Sequence, residues 1–283
     1  MKLRSIGTTH QPSVAILGVF DPILPAHLDL FAEVRDYARL QGFQALVMLI
    51  DPNPGSLMFG RVDWPVFHDR DTRIRLIQES GIDGVLLLRF FRQDLFAIAA
   101  DFFEAIDPVT NVVELWLGAR QSIGSGPESS PTIVQQMALA HGITIKRLPA
   151  VELTKMSREV RRSLWTGSVR DAFAVSGQFP QRLRPRTGTL RLAWQPGRYL
   201  AVASSSAGEP VDGQTLELDL VEDGRRISRM QWPDERIDRL AFVAGPADAF
   251  GDHLATERPV GDGRGTHVDA AMSSRKGGVV SRD

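Results

Sequence analysis

The sequence predicts an α/β protein, in which a parallel sheet covered by helices is followed by a small antiparallel β domain. Over the first ~175 residues, apolar runs alternate with segments of helical spacing, which is typical of a parallel sheet with helices on both faces. From Pro185 onwards, short β-rich runs separated by Gly and Pro turns indicate an antiparallel β domain. We therefore expect one domain over 1–182, a second over 185–250, and a disordered tail over 251–283, where Gly, Ser, Arg and Asp occur without periodicity.

The first strand and first helix form the junction around which the chain is organised. Residues 14–17 are a continuous apolar run, as a strand buried on both faces requires. The run breaks at Gly18, and apolar residues recur at helical spacing over 26–40. Such a junction points backbone N–H groups and the positive end of the helix dipole at one place, which favours a bound phosphate.

The same reasoning places the remaining elements. Further strands of the parallel sheet are expected at 43–50, 84–91, 112–117 and 143–148. Helices are expected at 70–79, 95–106, 130–141, 157–165 and 169–175, with Ser130 or Ser129 as an N-cap and Gly81 as a C-terminal cap. Strands of the β domain are expected at 189–194, 199–204, 215–220 and 240–243. Residues 1–12 precede the pattern and are interpreted as a lead-in.

Composition narrows the classes of function. The net charge is −1, so no overall field draws the protein to nucleic acid or to a membrane. The chain has no cysteine, which excludes disulfides, thiolate metal sites and a cysteine nucleophile. The apolar run at 14–20 is too short for a signal or membrane segment. We expect a cytoplasmic protein that binds small molecules, without nucleic-acid or membrane partners and without a protein-held metal.

The loop after the first strand resembles the nucleotide-binding corner of the bacterial FAD synthetase (FMN adenylyltransferase) family, part of the HxGH nucleotidyltransferase superfamily. That family reads roughly G-x-F-D-G-V-H-x-G-H, and this chain reads GVFDPILPAH over 18–27. The matching positions are Gly18, Phe20, Asp21 and His27. The family's first histidine is Leu24 here, and a family glycine is Ala26.

The resemblance implies a Rossmann-like nucleotidyltransferase domain that binds ATP and transfers AMP to FMN, which yields FAD. It implies that His27 is catalytic, since a histidine at a helix N-terminus can donate to phosphate oxygens. It also implies that Gly18, Phe20 and Asp21 contact the nucleotide. Mg²⁺ would bridge the phosphates and be held mainly by substrate and water.

A second motif lies at 154–167, TKMSREVRRSLWTG, where the family has I-S-S-T-x-I-R-x-x-L-x-x-G at the start of a helix. The residues in register are Ser157, Val160, Arg161, Leu164 and Gly167, whereas Met156 and Arg158 replace family hydroxyl residues. The resemblance implies that Ser157 binds the β- and γ-phosphates and that Arg161 neutralises them. The alternative is an ordinary surface helix with Ser157 as its N-cap.

A third motif lies at 118–124, GARQSIG, where the family has G-x-D-F-x-F-G in contact with the nucleotide and flavin. Gly118 and Gly124 align, Arg120 replaces the aspartate, and both aromatic residues are lost. The resemblance implies that Gly118 and Arg120 contact substrate. Arg120 would supply a donor for a phosphate or carboxylate where the family has an acceptor.

Three functions remain open at this point. The first is the FAD synthetase reaction. The second is a paralogue that binds a nucleotide, flavin or protein partner without turnover, as the departures at Leu24, Ala26, Arg120 and Arg158 favour. The third is adenylyl or cytidylyl transfer to another phosphorylated or acidic acceptor anchored by Arg120. The β domain resembles a truncated riboflavin kinase module through PGRY at 196–199 and offers a surface for a protein partner. Because the module's P-T-x-N signature is not found, riboflavin kinase activity is not expected.

Overall fold

The structure is a computed structural model. It describes residues 2–6, 11–58, 66–149, 153–184, 189–204, 210–222, 228–233 and 236–248. The predicted tail at 251–283 lies outside the described residues.

The first sheet has six strands, and its order confirms the predicted fold class. The strands are β1 Lys2–Ile6, β2 Ser13–Gly18, β3 Gln44–Asp51, β4 Gly84–Arg89, β5 Val112–Leu117 and β6 Thr144–Arg147. Their order is β1-β4-β3-β2-β5-β6, and every pair is parallel except the antiparallel pair of β1 and β4. β2 therefore lies inside the sheet, and β1 extends one edge where the sequence indicated only a lead-in.

Helices pack on both faces of this sheet. The α-helices are α1 Pro25–Gln41, α2 Pro54–Met58, α3 Arg70–Glu79, α4 Ala99–Ile106, α5 Pro131–Ala140, α6 Leu153–Thr166 and α7 Val169–Ser176. Val14 and Ile16 of β2 are buried in the core that contains Phe31 of α1. Ala15 and Leu17 are buried in a separate core on the opposite face. Two covered faces explain why the strand reads as an uninterrupted apolar run.

Two predicted helices differ from the structure. In place of one helix over 95–106, a 3-10 turn at Arg92–Phe96 precedes α4. The Asp101 carboxylate accepts the N–H of Ile98 at 2.9 Å and so caps α4 after the turn. Phe96, the last residue of this turn, is 79% exposed. In addition, α6 begins at Leu153 rather than at residue 157, so Ser157 lies in its second turn.

The second sheet is antiparallel, as predicted. Its strands are β7 Gln181–Leu183, β8 Thr189–Leu192, β9 Gly197–Ser204, β10 Pro210–Glu222, β11 Ser228–Gln231 and β12 Arg239–Ala244. Their order is β7-β12-β9-β10-β11-β8. The core under this sheet includes Trp194 and Tyr199, together with Val160 and Leu164 of α6. The domain boundaries stay a prediction. None of the helices in the described ranges has the length and apolar character needed to span a membrane.

Candidate functional site

The loop that follows β2 turns sharply because an aromatic ring folds back over a glycine. The Phe20 ring lies so close to Gly18 that a Cβ at residue 18 would be 2.6 Å from it. Phe20 has a positive φ of 48° and contacts His27 edge-on, with the ring centroids 5.3 Å apart. The ring is buried, since Phe20 is only 7% exposed. Gly18 and Phe20 therefore build the support under His27.

His27 lies in the first turn of α1, and the backbone fixes its tautomer. The N–H of Leu24 donates to Nδ1 of His27 at 2.9 Å. Burial lowers the pKa of His27 from 6.5 to about 4. The ring is consequently neutral at pH 7, and because Nδ1 accepts a hydrogen bond, the proton resides on Nε2. His27 can thus present an N–H donor at the N-terminus of a helix, where anions bind.

We call the loop and helix start from Gly18 to His27 the His27 corner. Asp21 is buried in it, and its carboxylate binds backbone N–H groups of another part of the chain. Its Oδ1 accepts the N–H of Phe67 at 3.0 Å and the N–H of His68 at 2.9 Å. Burial raises the pKa of Asp21, while Arg73, the His68 N–H and Arg161 act in the opposite direction. Asp21 is 5% exposed, so its carboxylate holds the chain at residues 67 and 68. The nucleotide contact predicted for this side chain stays a prediction.

Arg161 brings the second motif to the first. Its Nη1 donates to the backbone carbonyl of Asp21 at 2.7 Å, across 140 residues of sequence. Burial lowers the pKa of Arg161, and the Asp21 carboxylate counteracts this effect. Val160 and Leu164 on the same helix are buried in the core under the second sheet, which fixes the rotation of α6 about its axis. The two motifs are therefore in direct contact in the folded chain.

Arg73 is a buried residue of this corner that the sequence did not reveal. It lies on α3 and is 3% exposed. Its Nη1 donates to the carbonyl of Val19 at 2.8 Å, and its Nη2 pairs with the Asp51 carboxylate. Arg73 thereby joins the loop after β2 to the end of β3. Its position four residues before the buried Ile77, on one helix face, is the signal that could have identified it.

Comparison with known proteins now decides the family. The model of the FAD synthetase family matches residues 6–160, more than half of the chain. The chain belongs to the FAD synthetase family. The match includes the His27 corner and ends one residue before Arg161. A comparison with curated proteins finds no significant match.

Among solved structures, the chain is similar to the crystal structure of a macrolide-efflux protein from Streptococcus pneumoniae. The TM-score is 0.58 at 17% identity, and the alignment covers 87% of this chain and 89% of that one. At this identity the similarity shows the fold alone.

Two further motif positions are Leu24, where the chain departs from the FAD synthetase family, and Gly118, where it matches. Leu24, at the position of the first motif histidine, is fully buried. Gly118 ends the strand next to β2, and Ile16 pairs with Trp116, so Gly18 and Gly118 lie at the same edge of the sheet. The Gly118 carbonyl accepts from Arg147 Nη1 at 3.2 Å.

Two further residues predicted to contact substrate, Arg120 and Ser157, lie outside the His27 corner. Arg120 is exposed, three residues beyond the end of β5. Ser157 is half-buried in the second turn of α6, so its backbone N–H belongs to the helix and only its hydroxyl could reach a phosphate. The structure thus joins Gly18, Phe20, Asp21, His27 and Arg161 by contacts. The substrate contacts and catalytic roles predicted for these five residues stay predictions, as do those of Gly118, Arg120 and Ser157.

Proposed function

We propose that this member of the FAD synthetase family transfers AMP from ATP to FMN. The observation that carries the proposal is the hydrogen bond from Arg161 to the carbonyl of Asp21, because it brings a half-buried cation to the loop that leads into the helix presenting His27. A cation, a neutral imidazole donor and a helix dipole at one place suit a triphosphate.

In this reaction an oxygen of the FMN phosphate attacks the α-phosphorus of ATP. The bond between the α-phosphorus and the bridging oxygen to the β-phosphorus breaks, so that FAD forms and pyrophosphate leaves. The Nε2–H of His27 donates to a phosphate oxygen as negative charge moves towards the leaving group. Arg161 has five N–H donors, and its bond to Asp21 is compatible with further bonds to the leaving pyrophosphate.

The carboxylates of the corner bear on how Mg²⁺ would be held. Asp21 accepts backbone N–H groups, and Asp51 pairs with Arg73, so both carboxylates already have partners. No group of three or more His, Asp or Glu side chains that could hold a metal lies within the described ranges. The proposal therefore assigns Mg²⁺ to the phosphate oxygens of ATP and to water, where it would neutralise charge on the leaving group.

The test is product formation from ATP, Mg²⁺ and FMN, with FAD and pyrophosphate both quantified. We expect FAD from the wild-type chain and a loss of at least ~100-fold in kcat for His27→Ala. His141→Ala is the matched control, because His141 lies at the end of α5 and stacks on Phe103. Equal loss in both variants, or FAD formation that persists in His27→Ala, would contradict the assigned role of His27.

A second function has one specific observation in its favour. A leucine side chain has no hydrogen-bond donor, so Leu24, which is fully buried, supplies none to a phosphate where the family has a histidine. A paralogue that binds nucleotide or flavin without turnover would show this change. In that case ATP or FMN would raise the unfolding temperature of the wild-type protein, and neither FAD nor pyrophosphate would accumulate.

A further inference from the structure

Three consecutive residues lie between the Asp21 carboxylate and the second sheet. We call residues 66–68 the bridging segment. Its N–H groups at Phe67 and His68 donate to Asp21, as described above. Phe67 is fully buried, and its side chain belongs to the core under the second sheet. The segment is therefore shared between the two parts of the fold.

Residues of the second sheet hold the opposite side of the bridging segment. Arg182, on β7, donates through Nη1 to the carbonyl of Phe67 at 2.5 Å and through Nη2 to the carbonyl of Val66. Trp194 Nε1 donates to the same Val66 carbonyl at 3.3 Å, and the Arg182 guanidinium lies over the Trp194 ring at 4.9 Å. These contacts fix the segment from the side facing the second core.

The His68 ring adds a third attachment. Its Nδ1 accepts the N–H of Gln181 at 3.3 Å, and its Nε2 bonds with Oε1 of Gln178 at 3.2 Å. His68 is fully buried, so both ring nitrogens need these partners. All three residues of the bridging segment are thus bound by residues from 178–194.

We propose that Arg182 is a positioning residue of the nucleotide site, through which the second sheet holds Asp21 and the loop before His27 in place. The path consists of contacts already described: Arg182 fixes two carbonyls of the bridging segment, the segment's N–H groups fix the Asp21 carboxylate, and the Asp21 carbonyl receives Arg161. The consequence for nucleotide affinity rests on the proposed function, whereas the path itself does not.

An Arg is suited to this position because one planar fork can serve two carbonyls at once. Arg182 is 2% exposed, so no water replaces its hydrogen bonds. A side chain without these donors would leave the carbonyl oxygens of Val66 and Phe67 without this partner. Arg182→Met keeps the length and apolar volume of the stem up to Nε but removes the guanidinium group and every donor. Arg182→Lys keeps the charge and one donor direction, and should restore part of what methionine loses.

The experiment compares full-length wild type, Arg182→Met, Arg182→Lys and Leu220→Ala. Leu220 is 2% exposed in the same core, on β10, and has no polar side-chain atom with which to hold the bridging segment. The first readout is hydrogen exchange at the Phe67 and His68 amides, corrected for each variant's global stability. The second is the ATP dissociation constant of the folded protein.

We expect Arg182→Met to exchange these two amides at least ~10-fold faster than Leu220→Ala and to bind ATP more weakly by a similar factor. Arg182→Lys should lie between Arg182→Met and wild type in both readouts. Amides that are equally protected in Arg182→Met and Leu220→Ala would overturn the proposal, as would faster exchange with unchanged ATP affinity. If wild type does not bind ATP, the proposed function fails, and the exchange data alone decide whether Arg182 holds the corner.

Discussion

Replacement of Asp21 tests whether a buried carboxylate holds the His27 corner together. Asp21→Asn keeps Oδ1, which accepts both N–H groups, and removes the negative charge near Arg73, Arg161 and Arg182. Asp21→Ala removes the acceptor altogether and leaves the N–H groups of the bridging segment without a partner. The two variants therefore separate the charge from the hydrogen bonds.

The magnitudes follow from these contacts. Burial raises the pKa of Asp21, so the folded state gains no net stability from the negative charge, and Asp21→Asn, which keeps an acceptor for both N–H groups, should change the free energy of unfolding by less than about 1 kcal/mol. Each buried N–H left unpaired costs about 2 kcal/mol, so Asp21→Ala should lower it by about 4 kcal/mol.

The assay is urea unfolding followed by far-UV circular dichroism, with an unchanged m-value as the check on two-state behaviour. Asp36→Asn is the control, because Asp36 pairs with its neighbour Arg35 at the surface and should change the free energy of unfolding by less than about 0.5 kcal/mol. The reasoning is refuted if both Asp21 variants match this control. It is also refuted if Asp21→Asn is as destabilising as Asp21→Ala.

Two further predictions concern the buried charges around this corner. Arg73→Met should lower the free energy of unfolding by about 3 kcal/mol, because it leaves Asp51 without its buried partner, and urea unfolding measures this. Burial lowers the pKa of His68 from 6.5 to about 3, so between these pH values the unfolded chain binds a proton at this residue and the folded chain does not. The free energy of unfolding therefore falls as the pH falls from 6.5 to about 3. Relative to His68→Asn, wild type should lose about 1.4 kcal/mol more per pH unit, and parallel pH profiles for the two proteins would contradict this.

Apolar periodicity predicted the main elements because it follows from local contact with a core. The run at β2 is buried on both faces, and the spacing of α3 matched its observed bounds, Arg70–Glu79. Two edge strands, β1 and β7, lack that signal. β1 reads KLRSI, a mixture of charged and apolar residues, and β7 has three residues, fewer than a periodicity can be read from. Both are identified only by the strands with which they pair.

The candidate site was predictable where the motif is local and hidden where its partners are distant. His27 and the Gly18–Phe20 turn lie within ten residues of one another, so a single sequence motif was enough to predict that they are neighbours. The Asp21 carboxylate, in contrast, turns to residues 67 and 68, which are 46 and 47 positions away. Arg73 and Arg182 resemble solvent-exposed arginines in sequence, since their burial depends on carbonyls from other elements.

ATP titration of wild type, Arg161→Ala and Arg162→Ala tests most directly whether the two motifs form one nucleotide site. Arg161 reaches the Asp21 carbonyl, while Arg162 is its exposed neighbour on the same helix and carries the same charge. We predict that Arg161→Ala raises the ATP dissociation constant at least ~10-fold and that Arg162→Ala stays within about twofold of wild type. Equal effects of the two variants, or no effect of Arg161→Ala, would contradict the account.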